Sequence, residues 1–163
     1  MKQFEPAVLA LAQALRGAGL KLATAESCTG GLIAAACTTV AGSSDWFERG
    51  FVSYSNESKI EMLGVAATLI AAKGAVSREV AQAMANGVLA HSRADLAVAV
   101  TGIAGPGGAT PDKPVGTVWL AVARRGHDTQ AELLQLNGDR ASIRAQTVQR
   151  ALQGLAQHVA SAH

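Results

Sequence analysis

Two cysteines and four histidines in 163 residues leave little from which to build a metal site. Cys28 and Cys37 cannot supply a zinc ligand set by themselves, and His91, His127, His158 and His163 are scattered without ligand spacing, so no metal is expected. The same scatter leaves no visible serine, histidine and aspartate triad, because His127 lies in a "RRGHDTQ" turn and the other three lie on or just beyond helix ends. Charge is scarce as well. A net charge of +2 from 14 basic and 12 acidic side chains, with no basic run and no interleaved aromatics, gives nucleic acid no footprint. Long apolar runs are missing too: "GGLIAAACTTVAG" is cut by glycine at both ends, short of a membrane span. The opening "MKQFEPAVLALAQALRGAG" reads as an amphipathic helix without the apolar core and cleavage site of a signal peptide, so a soluble cytoplasmic protein is expected.

What the chain has is apolar bulk. Nearly half its residues are hydrophobic, which excludes disorder and, at this length, predicts one domain over 1–163 with a large core. Phe4, Val8, Leu11 and Leu15 recur at helical spacing, and "LKLATAE" after Gly19 reads as a short strand. Residues 32–40 read as a buried helix, 50–55 ("GFVSYS") as a second strand, and "NESKIEMLGV" and "ATLIAAKG" as short helices. Ser77 is placed to cap a helix carrying Val80, Met84, Val88 and Leu89. "LAVAVTG" (96–102) has the character of a central strand buried on both faces, followed by a Gly- and Pro-dense loop. "TVWLAVARR" and "TQAELLQL" form a hairpin across "GHD", and a long helix starts near Asp139. The sum is an α/β protein, a three-layer α/β/α sandwich with a mixed sheet, whose ligands should bind at strand ends.

"AESCTGG" (25–31) follows a strand and opens a helix, so amides near Gly30 and Gly31 can face what Ser27 faces, an anion or oxyanion site. The alternative is that Ser27 or Thr29 only caps the helix. Cys28 is the rival nucleophile but has no histidine beside it, and Ser27 is favoured. With no suitable histidine, the candidate bases are Lys59 and Tyr54 in "YSNESK"; a desolvated lysine can accept the serine proton, with Tyr54 shuttling or orienting it. The plain alternative makes Tyr54 a half-buried strand residue and Lys59 a solvated one. Thr101 and Gly102, at the carboxyl end of the central strand in "VTGIAGPGG", could approach a phosphate or a carboxamide. The spacing there matches neither a Walker loop nor a dinucleotide fingerprint, and no cofactor is expected. Asp112 and Lys113, in the same loop, read as solvated. Arg140, in the first turn of the last helix where the dipole disfavours a cation, is either kept for an anion such as phosphate or, like Arg144, paired with a surface carboxylate.

"AESCTGG", "GFVSYSNESK", "AVTGIAGPGG", "KPVGTVWLA" and "NGDR" stand in the order and spacing of the CinA C-terminal domain family, which the chain resembles from its first helix to its last. The family includes nicotinamide-nucleotide amidohydrolases. The resemblance implies hydrolysis of the carboxamide of nicotinamide mononucleotide to nicotinate mononucleotide and ammonia, in pyridine nucleotide recycling. It makes Ser27 the nucleophile, Lys59 its base with Tyr54 assisting, Thr101 and Gly102 hydrogen-bonding partners of the substrate, and Arg140 a phosphate ligand. Thr29, Gly30 and Gly31 would complete the substrate and oxyanion site. Without the extra N-terminal domain common in the family, the sequence resembles the stand-alone deamidase form, and a homodimer is expected. Two other readings are a nucleotide-binding module without chemistry and a serine amidase for another small amide.

Overall fold

The computed structural model describes residues 1–161, so His163 lies outside the described residues. A short 3-10 turn leads into α1 (Glu5–Ala18), followed by β1 (Leu22–Glu26), α2 (Leu32–Cys37), β2 (Phe47–Val52), α3 (Asn56–Leu63), α4 (Ala67–Lys73) and α5 (Arg78–Ala90). Then come β3 (Leu96–Gly102), the hairpin β4 (Thr117–Arg124) and β5 (Gln130–Gln135), and α6 (Arg140–Ser161). The five strands make one mixed sheet in the order β2-β1-β3-β4-β5, with β1 parallel to both neighbours and β4 antiparallel to β3 and β5.

The alternation in "LAVAV" decides how the layers pack. Leu96, Val98 and Val100 point to the face covered by α1, α2 and α6, where they meet Leu11, Leu15, Ile33, Ile143 and Leu152. Ala97 and Ala99, with Ala23, Ala25, Ala121 and Ala123, point to the other face, under Val80, Met84 and Val88 of α5. Methyl groups on that side let α5 approach the sheet closely, while branched side chains on the first side fill the wider gap to two long helices. Close approach continues outward: a Cβ on Gly87 of α5 would sit 2.1 Å from the carbonyl oxygen of Leu63 at the end of α3. This is the expected three-layer α/β/α sandwich, with β3 central and buried on both faces.

Two boundaries differ from expectation. The helix after "SCTGG" stops at Cys37, because the hydroxyls of Thr38 and Thr39 donate to the carbonyls of Ala34, Ala35 and Ala36 and end the turn. β2 runs over 47–52 rather than 50–55: Ser55 accepts a hydrogen bond from Ser58 N and starts α3, so the chain leaves the strand before Tyr54. The Ser77 cap on α5 and the Asp139 cap on α6 form as the sequence implies, through Val80 N and Ser142 N. No helix among the described residues is long and apolar enough to cross a membrane.

Topology gathers four connections at one end. β1, β2 and β3 all run toward it, β4 starts there, and β5 ends there and delivers the N-terminus of α6. The chain leaves β1 for α2 on the α6 face and leaves β2 for α3 on the α5 face, so these crossovers part and leave a crevice at the strand ends.

Candidate active site

Ser27 is the first residue past β1, yet its amide still donates to Val100 O at 3.1 Å, continuing the pairing with β3. Since Glu26 is in register with Val100, Ser27 stands beside Thr101, and both side chains project toward the α5 side. Lys59 arrives from β2 and α3. It sits one turn into α3, which places its chain back along the helix start, and its Nζ lies 3.0 Å from Ser27 Oγ and 2.9 Å from Tyr54 O. Ser27 Oγ is also 3.3 Å from Tyr54 O.

Lys59 is 1% exposed, so the solvated alternative is excluded. Its ammonium would have one hydroxyl, one carbonyl and no carboxylate in hydrogen-bond reach, and burying an ammonium so poorly compensated costs several kcal/mol. Burial accordingly pushes its pKa below the ordinary 10.5. Nζ donates to Tyr54 O and to Ser27 Oγ, so an amine that has lost its extra proton stands within reach of the serine hydrogen. Cys28 is different. Burial pushes its thiol up to about 11, so at neutral pH it is protonated and a poor nucleophile.

Tyr54 enters through its main chain, not its phenol. Its side chain is 59% exposed at the cavity rim, and its carbonyl makes the contacts with Ser27 and Lys59. The expected phenol at the serine proton and the half-buried strand aromatic both give way to a loop residue ahead of the Ser55 cap.

The nucleophile turn is held from two sides. Glu26, 1% exposed, accepts from the Thr29 hydroxyl at 2.6 Å and from the amides of Ile33 and Ala34 at 2.7 and 3.0 Å, so it caps α2 and fixes the turn together. From α6, Arg144 donates to Cys28 O at 3.1 Å and Thr29 O at 3.2 Å. Thr29, Gly30 and Gly31 frame the turn and are not among the residues lining the cavity: the Thr29 hydroxyl is spent on Glu26, and the Gly30 amide donates to Ser27 O. Gly30 and Gly31 supply positive φ, 58° and 105°, where the chain turns into α2.

The cavity itself, about 270 Å³, is lined by Ser27, Cys28, Tyr54, Asn56, Lys59, Ala75, Val76, Thr101, Gly102, Arg140 and the loop from Ile103 to Gly108. Thr101 is buried and its hydroxyl donates to Ala75 O at 2.8 Å. Arg140 reaches in from α6, with one guanidinium nitrogen on Gly105 O at 2.8 Å. The amides of Cys28, Gly105, Gly107 and Gly108 make no main-chain hydrogen bond among the described residues. Lys113 is drawn off to Lys73 O and, with Asp112, stays outside the cavity. Sequence reasoning passed over Glu26 and Asn56. A lone acid ending an otherwise apolar strand was the signal for the first, and the second follows a capping serine.

A larger cavity, about 700 Å³, lies at the other end of the sheet between the hairpin and the last turns of α6, lined by His127, Asp128, Glu132, Gln157, His158 and Ser161 among others. The Ser161 hydroxyl there donates to His158 O. Among the described residues, no three His, Cys, Asp or Glu side chains gather as a metal would need.

The model of the CinA C-terminal domain matches residues 5–159. A CinA-like protein of Akkermansia muciniphila is 58% identical over 136 residues, which cover 83% of this chain and 33% of that protein. The chain spans about a third of the length of the first curated relatives it matches. Nicotinamide-nucleotide amidohydrolase PncC of Pseudomonas putida is 53% identical over 147 residues, 90% of this chain and 91% of that protein. Among solved structures, the competence damage-inducible protein A (ComA) of Klebsiella pneumoniae superposes with a TM-score of 0.94 at 38% identity, covering 98% of both chains.

Proposed function

Starting from the fact that the chain belongs to the CinA C-terminal domain family, we propose that it hydrolyses the carboxamide of nicotinamide mononucleotide to nicotinate mononucleotide and ammonia. The observation that carries this reading is the buried Lys59 amine 3.0 Å from Ser27 Oγ, at the floor of a cavity that also holds Arg140. The PncC relative supports the choice of substrate.

Lys59 Nζ takes the Ser27 proton as Oγ attacks the carboxamide carbon. The oxyanion is held by free amides lining the cavity, those of Cys28 and the Gly105 to Gly108 loop, in place of the Gly30 and Gly31 amides expected from sequence. The Lys59 ammonium then gives its proton to the leaving nitrogen, the C–N bond breaks, and ammonia departs from a Ser27 acyl ester. Lys59, neutral again, deprotonates a water that attacks the ester, releasing the acid and restoring the Ser27 hydroxyl. Tyr54 O holds Nζ in place throughout, and Arg140 binds the phosphate.

The reading sets the enzyme in pyridine nucleotide recycling in the cytoplasm, a setting supported by two free, buried cysteines. It includes a homodimer, for which the support is the unpaired edge of β5, where Leu133 is 43% exposed. The decisive assay is ammonia release from nicotinamide mononucleotide by the purified protein. Ser27→Ala is expected to lower the rate by about a thousandfold or more; an unchanged rate would rule the mechanism out.

A further inference from the structure

We propose that Thr101 makes this site select a primary carboxamide and reject the corresponding carboxylate, by presenting acceptor lone pairs and no hydrogen to the bound group. The inference rests on the amidase reading above and adds how substrate is told from product.

The polarity of Thr101 is settled by its partner. Its Oγ1 lies 2.8 Å from Ala75 O, and a carbonyl oxygen cannot donate, so the hydroxyl hydrogen lies between them. What remains on Oγ1 is acceptor capacity. Thr101 is 1% exposed, so no bulk water stands by to reverse that arrangement, and it lines the same cavity as Ser27 and Lys59. Strand register puts it beside Ser27, next to the atom that attacks.

A carboxamide whose carbon faces Ser27 Oγ has one donor group, its NH2. Setting that group against Thr101 satisfies both sides and turns the amide oxygen away, toward the amides of Cys28 and the Gly105 to Gly108 loop. The carboxylate product has no hydrogen to offer. Turned either way, it places an oxygen lone pair against Thr101 Oγ1, and a buried site built for one hydrogen-bond pattern discriminates strongly against a ligand lacking it. The product therefore leaves without competing with substrate, and the leaving nitrogen is held where the Lys59 ammonium can protonate it.

The test compares the binding of nicotinamide mononucleotide and nicotinate mononucleotide by calorimetry in a Ser27→Ala background, where no turnover consumes the amide. The amide is expected to bind at least about tenfold more tightly than the acid. Adding Thr101→Ser, which keeps the hydroxyl, should preserve the preference, whereas adding Thr101→Val, which keeps the shape, should reduce it to within about twofold of unity. Equal binding in the parent, binding of neither ligand, or a preference kept in Thr101→Val would overturn the proposal. Should the valine variant not fold, the wild type decides: an inhibition constant for the acid at least about tenfold above the KM of the amide supports the proposal, and one equal to KM defeats it. Failure of the amidase reading shows separately, as absence of ammonia release by the wild type.

Discussion

The cavity between β1 and β3 is less than half the size of the one between the hairpin and α6, about 270 against 700 Å³. The larger one is no richer in titratable side chains, its His127, Asp128 and Glu132 are exposed, and its one serine is spent on a main-chain carbonyl. In the smaller one a single lysine is buried with two oxygen partners, one of them the hydroxyl it would deprotonate. Volume measures where a ligand fits. Desolvation with fixed partners measures where a proton can be moved, and the two cavities separate these properties.

Removing the buried amine should give the sharpest contrast. Lys59→Met is expected to cut ammonia release by about 10²- to 10⁴-fold while raising the melting temperature at neutral pH, because an unfavourably buried amine gives way to an apolar chain of similar length; a scanning calorimetry trace with a lower melting temperature would count against that account. The pH dependence carries the same sign. Only neutral Lys59 accepts the serine proton, so turnover should rise with pH through a midpoint below the ordinary 10.5. Between the lowered folded value and the unfolded one, the unfolded chain binds more protons, so stability should rise with pH there and the slope should shrink in Lys59→Met.

An intermediate effect is expected from the supports of the nucleophile turn. Arg144→Met leaves Cys28 O without its donor and Thr29 O with the Leu32 amide alone, and Glu26→Gln turns an N–H2 toward amides that need an acceptor. Each should lower kcat by about tenfold to a hundredfold with KM nearly unchanged, since misplacing Ser27 costs orientation rather than binding. A rise in KM at constant kcat would show that the turn serves binding instead. The smallest effect belongs to the large cavity: His127→Ala and His158→Ala should change kcat/KM by less than about twofold, and a greater loss would make that cavity part of the chemistry.

The fold was legible almost throughout because its elements announce themselves by periodicity and punctuation: the "LAVAVTG" strand, the Ser77 cap and the α6 stripe all appear as expected. The α2 and β2 ends were misplaced because Thr38, Thr39 and Ser55 act through side-chain hydrogen bonds that override local propensity. Ser27, Lys59, Thr101 and Arg140 were legible as candidates, and the structure brings all four to one cavity. The division of labour within "AESCTGG" was not. Which residues face the cavity and which face Glu26 depends on how the strand ends against β3, a contact 73 residues away in the chain for Ser27 and Val100.

The carbonyl of Tyr54 is an anchor that no codon change at position 54 can delete. Every amino acid carries it, so the lysine's resting place is written into the length of the crossing from β2 to α3 and into the Ser55 cap, rather than into the identity of the residue that provides it. Point substitution can vary the exposed ring freely as far as this contact is concerned. What would erase the anchor is an insertion or deletion between Val52 and Ser55, so this part of the site is inherited as spacing.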